Sequence, residues 1–336
     1  MKKMKNNINK LYIVVAFAII SVLAACDSYD FDQEQFRNEI NLLSNSEMVY
    51  DRQVANISED GDVIYLVAGM SGTNSSSSAL TVGIMEADSL FHAYNKSQFD
   101  IDESRFARWL PEECYTMPEM KMQINPGEFQ VRFPIQLKNL DLISPDSIYF
   151  LNYQIDPSVT KAFNPAKKEV LLRIYKSNEF ATTRTNTFYN YTTSYVTTLV
   201  DGGAIRRPTS SNQVFPLGVN SVRMLAGDES MGDIKTALDR INNNSIKVTV
   251  GEQTAYDPSA RVVTIEPYKG IDVVQMAPKG IYDNTYLINA ISTPDGRSTY
   301  YKEFRLHYKY RLNSSSPYRE VEAVLRMEYN PRADLL

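Results

Sequence analysis

Histidine is almost missing from this chain: His92 and His307 are the only two among 336 residues. A serine or cysteine nucleophile would have to draw its base from one of them. His92 sits in "SLFHAYN" with no motif around it, and His307 falls where strand alternation puts a charged, solvent-facing position. Cysteine is as scarce, with only Cys26 and Cys114. Neither a disulfide framework nor a zinc cluster of ordinary spacing can be assembled from this inventory. No G-x-S-x-G, P-loop or dinucleotide fingerprint occurs either. The run Asp30-Phe31-Asp32-Gln33-Glu34 fails as a calcium loop, because Gln35 stands where the turn needs glycine. The sequence thus implies no cofactor and no metal site.

Positive charge is also in short supply once the N-terminus is set aside. Lys2, Lys3, Lys5 and Lys10 precede "LYIVVAFAIISV" (Leu11 to Val22), an apolar run too short for a comfortable transmembrane helix but right for a signal-peptide core. It ends in Leu23-Ala24-Ala25-Cys26, which resembles a bacterial lipobox, with Cys26 as the lipidated residue. Removing residues 1–25 with their four lysines leaves 311 residues carrying 31 basic and 40 acidic side chains, a formal charge of −9. That balance argues against nucleic acid as a partner. Lipidation at Cys26 would consume one of the two cysteines, and Cys114 reads as a small buried hydrophobe.

What the chain does have is β-pattern and tyrosine, with 22 Tyr beside a single Trp. Residues 26–46 read as an acidic tether, with a short helix at "QEQFRNEINLL". Residues 47–177 then alternate with period two in "DVIYLVAGM", "ALTVGIM", "SIYFLNYQI" and "KEVLLRIY". In "EFQVRFPIQL", Phe129, Val131, Phe133, Ile135 and Leu137 share one face, and Pro134 suggests an edge or bulge. "MKMQIN" before it, joined through Asn125-Pro126-Gly127, predicts a hairpin. These strands predict an antiparallel, immunoglobulin-like sandwich. Residues 178–187 read as a polar linker, and residues 188–336 as a second antiparallel domain, either a lipocalin-like barrel or a sandwich. One short helix interrupts it, in "ESMGDIKTALDRIN", where Met231, Ile234, Leu238 and Ile241 fall at helical spacing and predict a packing face. In the strand "YKEFRLHYKYRL", Phe304, Leu306, Tyr308 and Tyr310 predict the core face, and Glu303, Arg305, His307 and Lys309 the solvent face.

The one stretch with catalytic spelling is "CDSYDFDQEQF". From Asp27 it matches D-x-x-D-x-D-x-E through Asp30, Asp32 and Glu34, the acidic signature of chitinase-like glycoside hydrolases. It begins one residue after the lipidation site, with no earlier strand to build a barrel, and has Ser28 where the hydrolases carry glycine. Solvated carboxylates on a tether keep ordinary acidity and cannot serve as an acid at neutral pH. The same four residues resemble the export signal that follows the lipidated cysteine of surface lipoproteins, and that is the reading adopted.

The N-terminal body resembles the immunoglobulin-like module known as domain of unknown function 1735. The resemblance rests on Tyr94-Asn95, Leu110-Pro111 with Tyr115, and the Ile124–Leu137 segment around Gly127. The second body resembles the β-rich C-terminal domain often paired with that module. The resemblance implies a non-catalytic surface lipoprotein of a polysaccharide-utilisation system, anchored in the outer membrane. Such a protein would bind a polysaccharide or oligosaccharide beside an outer-membrane transporter. A fimbrial subunit is the alternative, and a glycoside hydrolase a weaker one. Sugar contact would need exposed aromatics with polar neighbours. The candidates are Trp109 with Arg108, and Tyr189, Tyr191 and Tyr195 along "FYNYTTSY", each of which could instead be core packing. The anchor is tested directly: Cys26→Ala should abolish incorporation of labelled fatty acid and release soluble protein, whereas labelling that persists would rule the lipobox out.

Overall fold

The computed structural model describes residues 38–331 except 73, 209, 234–235 and 293–296. The signal segment, Cys26 and the acidic run Asp27, Asp30, Asp32 and Glu34 lie outside the described residues. No helix among those described is long and apolar enough to cross a membrane.

Two β-bodies follow one another, as the alternation predicts. In the first, a four-stranded sheet is built around Asp62–Met70 and Gln130–Leu137, which pair antiparallel from Asp62↔Leu137 to Gly69↔Gln130. The opposing sheet runs Val49–Tyr50, Glu169–Ser177, Tyr149–Ile155, Leu80–Glu86, Lys121–Ile124, with Val54–Asn56 and Arg108–Trp109 added as short parallel pairings. Ile64, Leu66, Phe133 and Ile135 from one sheet meet Val82, Ile84, Leu151 and Leu172 from the other in a single core. Gln130–Leu137 alternates without a fault, every second residue being buried, although Phe129 just before it is exposed. Pro134 sits where that strand has a partner on one side only, since Tyr115–Thr116 reaches no further than Leu137 and Gln136.

Three local expectations are corrected. Lys121–Ile124 and Gln130–Leu137 do not form a hairpin. The first pairs with Leu80–Gly83 in the opposite sheet, so the turn at Gly127 (φ 87°) is an arch over the core. Alternation fixes which side chains point inward but not which sheet a strand joins. Ile40–Leu42 is a strand paired with Ala68–Met70, not part of a helix, so the stretch read as tether contributes a strand to the sandwich. A helix at Ser89–Phe99 went unpredicted, because it buries only Phe91 and Asn95 and carries little amphipathic signal.

The second body is a closed barrel rather than a sandwich. Eight antiparallel strands follow in chain order: Thr187–Tyr191, Ser211–Gly218, Ser221–Leu225, Ser245–Gln253, Ala260–Pro267, Thr285–Ser292, Ser298–Arg311 and Arg319–Tyr329. The last pairs back onto the first through Asn190↔Arg326 and Tyr191↔Leu325. Register shifts at Pro216/Gly218 and Val250/Gln253 supply the local bends that closure needs. The lumen is filled by Tyr189, Tyr286, Phe304, Leu306, Tyr308 and Tyr310, all essentially without solvent contact. Phe180 plugs one end against Tyr286 and Phe304, so the stretch read as a polar linker contains part of the barrel core.

The outer face of Ser298–Arg311 also differs from expectation. Glu303 and His307 are buried, not solvated. Glu303 accepts from Arg305 Nε (2.6 Å), Asn289 Nδ2 (3.1 Å) and Arg326. Burial pushes its carboxyl upward, but these hydrogen bonds outweigh that and hold it below the ordinary value. His307 lies under the 276–284 segment, with Nδ1 against Ala277 O and Nε2 2.8 Å from Glu320. The second helix is Ala237–Asn244, shorter than predicted. Met231 precedes it, Ile234 lies outside the described residues, Leu238 is exposed and Ile241 is buried.

Polar groups join the two bodies. Arg223, on the barrel wall and 1% exposed, reaches Asp146 of the sandwich with a bidentate pair at 2.5 and 2.7 Å, and its guanidinium lies over Phe215 and Tyr268. Lys176 donates to Leu140 O, Ile143 O and, across the joint, Leu217 O at 3.2, 2.6 and 3.3 Å. Burial pulls its ammonium down to about 8, against the opposing pull of Asp141 and Asp146. Removing one partner of a buried bidentate pair strands the other. Asp146→Ala should therefore cost about 3 kcal/mol in denaturant unfolding, with Arg223→Met on top recovering much of it; additive losses would show that the pair is not coupled.

Candidate functional site

A cleft of about 710 Å³ opens on the sandwich, and one of about 660 Å³ lies on the barrel beside Tyr300, Glu328 and Tyr329. Three separate stretches build the sandwich cleft, Glu86–Ser89, Trp109–Tyr115 and Leu151–Gln154. Asn95 is buried and clamps the Trp109 segment twice, donating to Ala107 O at 3.2 Å and accepting from Ala107 N at 2.8 Å. Arg108–Trp109 then pairs parallel with Tyr149–Phe150, and Leu110 N donates to Phe150 O at 3.0 Å. The helix behind is held at its start by buried Glu169, which accepts from Ser89 Oγ (2.9 Å) and Leu90 N (3.0 Å). Tyr94 meets Phe150 edge-on at 4.9 Å. The "YN" and "LP…Y" features thus have a physical reason, since Tyr94, Asn95, Leu110 and Tyr115 position or line one cleft.

Trp109 is 40% exposed and stacks on Phe91 with ring centroids 3.9 Å apart and planes 23° from parallel. One ring face is thereby fixed while the rest of the indole borders the cleft. Tyr115, Tyr153, Asn152 and Gln154 supply further walls, with Glu86, Asp88 and Glu112 at the rim. Desolvation raises the Tyr115 phenol, and the charges of Glu86 and Glu112 raise it further. Tyr153 is raised more strongly by its burial, so both phenols stay protonated. Asn152 and Tyr153 are buried, with the amide engaged by Val170 O and Phe91 N and the phenol by Met117 Sδ. The fixed indole, the Gln154 amide and the neutral Tyr115 phenol are therefore the groups that suit a ligand with both C–H faces and hydroxyls.

The other candidates fall elsewhere. Arg108 is exposed beside Trp109 but does not line the cleft. Tyr189 is inside the barrel, donating to Phe180 O at 3.0 Å. Tyr191 donates to Gly227 O and accepts from Asn212 at 2.9 Å at the margin of the lumen. Tyr195 belongs to a separate short strand, Tyr195–Thr198, under the Arg207 guanidinium. The three tyrosines therefore share no exposed face. One His–carboxylate group does assemble from neighbouring strands, His307 with Glu320 and Glu322, a set that linear spacing conceals. The Lys279 ammonium pairs with Glu322 and lies 3.7 Å from Glu320, so a cation already faces these carboxylates.

Two family models match, one describing an N-terminal domain over residues 33–162 and one a C-terminal domain over residues 168–326. Together they span most of the chain, which carries the paired N-terminal and C-terminal domains that the two models describe. The boundary between them precedes Glu169–Ser177, a strand that is structurally part of the sandwich. No curated protein matches the sequence. A Bacteroides ovatus multidomain protein including domain of unknown function 1735 superposes with TM-score 0.58 at 13% identity, covering 86% of this chain and 94% of its own. A Bacteroides ovatus protein of unknown function gives 0.59 at 15% identity, covering 88% and 93%. An auxiliary nutrient binding protein from Bacteroides thetaiotaomicron gives 0.56 at 16%, covering 85% and 94%. At these identities the likeness is one of fold.

Tyr189 offers a control on the assignment. Tyr189→Phe leaves the buried Phe180 carbonyl without its donor and should cost about 1–2 kcal/mol of stability while ligand retention by the folded protein is unchanged; lost retention at full stability would return Tyr189 to the site.

Proposed function

We propose that this chain is a non-catalytic glycan-capture protein, anchored in the outer membrane through Cys26, exposed at the cell surface and serving a polysaccharide-utilisation system beside a transporter. The observation that carries the reading is the cleft beside Trp109. It holds an indole braced on Phe91, the neutral Tyr115 phenol and the Gln154 amide in a space sized for a few sugar rings. The name of one structural relative, an auxiliary nutrient binding protein, supports the same role. The barrel lumen is filled by side chains, and Trp109, beside Arg108 in the sequence, borders the sandwich cleft with one ring face braced on Phe91.

Because Trp109 is the sole tryptophan, its emission reports on the cleft without labelling. Titration with a panel of soluble polysaccharides should quench or shift that emission for at least one glycan, saturably. Trp109→Ala should weaken retention of the same glycan by at least about tenfold, as loss of a central aromatic contact does, with little change in melting temperature. Release of reducing ends from that glycan would instead mark an enzyme, and retention unaffected by Trp109→Ala would place the site elsewhere.

A further inference from the structure

Charge around the cleft is one-sided. Glu86 closes the strand Leu80–Glu86, Asp88 precedes the helix Ser89–Phe99, and Glu112 lies in the short turn after Trp109. All three are exposed, and no hydrogen bond or ion pair engages their carboxylates among the described residues. Structural carboxylates in this fold behave otherwise: Asp146, Glu169, Glu229 and Glu303 are each held by a cation or by donors. The lining contains no basic side chain at all, and Arg108, next to Trp109 in sequence, is not part of it. Tyr115 lines the same cleft; burial raises its phenol first, and the charges of Glu86 and Glu112 add to that in the same direction.

From this placement we infer the class of glycan: the cleft takes a chain of uncharged or amino-bearing sugars and turns away uronic or sulfated ones. The inference rests on the cleft being the glycan site proposed above. A neutral pyranose keeps its stacking on Trp109 and its hydroxyl contacts with Gln154 and the free carboxylates, which accept hydrogen bonds readily. An acidic sugar brings its charge against three like charges with no counter-ion from the protein. Three carboxylates at roughly 7 Å in water-like surroundings disfavour a monoanion by about 20-fold at low salt, falling to about 3-fold at physiological ionic strength.

The test uses the full mature chain on a panel of neutral, aminated, uronic and sulfated polysaccharides, read by Trp109 emission and by retardation in glycan-containing gels. It is run at low and physiological salt. The wild type should bind neutral or aminated polymers more tightly than acidic ones, by about 20-fold at low salt and about 3-fold at physiological salt. The triple variant Glu86→Gln, Asp88→Asn, Glu112→Gln should raise the acidic-to-neutral affinity ratio by about 20-fold at low salt and about 3-fold at physiological salt. All three positions are exposed, so the variant should melt with the wild type. An acidic polymer bound by the wild type through Trp109 as tightly at low salt as a neutral one, or a ratio that the triple variant does not move, overturns the charge selection while leaving the site in place. Retention that ignores Trp109→Ala, or no retention anywhere on the panel, overturns the site itself.

Discussion

Barrel closure is the constraint on which the architecture turns. Eleven cross-strand pairs, from Tyr300↔Tyr329 to Tyr310↔Arg319, zip the last two long strands together. The return pairing of Arg319–Tyr329 onto Thr187–Tyr191 then removes the free edges that an open eight-stranded sheet would expose. A barrel of this strand number has an interior just wide enough for side chains. Here Tyr189, Tyr286, Phe304, Tyr308 and Tyr310 fill it, with Phe180 as a plug. A barrel packed this way leaves no lumen for a ligand, which turns attention to the sandwich and its cleft.

The joint between the bodies follows from the same economy of exposed groups. Arg223 projects from the outer wall of the barrel, where an unpaired guanidinium would be costly to bury. Asp146 and the rings of Phe215 and Tyr268 surround it, and Lys176 satisfies carbonyls of both bodies. The sandwich is therefore held to the barrel by directional polar contacts, which fix an orientation more strictly than apolar packing alone. On the proposed reading, the barrel is the rigid mount that carries the cleft.

Much of this was legible in the sequence, and the misses share a cause. Period-two runs such as Gln130–Leu137 and the even-numbered aromatics from Phe304 to Tyr310 announced an all-β protein with two cores. Pairing was less visible, because Lys121–Ile124 alternates equally well in a hairpin or in an arch to the other sheet. Glu303 and His307 looked solvent-facing because alternation counts charges without their partners, and those partners come from Asn289, Arg326, Ala277 and Glu320. The cleft was half-visible. Trp109 stood out as the single tryptophan, but Glu86, Glu112, Tyr115 and Gln154 converge from separate segments that no linear motif joins. Arg108 adjoins Trp109 without lining the cleft, and the fold places the tyrosine run in the second body.

Hydrogen–deuterium exchange of the mature chain, with and without a glycan it retains, tests the central claim most directly. Protection is predicted at Glu86–Ser89, Trp109–Tyr115 and Leu151–Gln154, with the barrel strands unchanged. Protection confined to the barrel or to the segments around Tyr191 and Tyr195, with the sandwich cleft unaltered, would contradict the account.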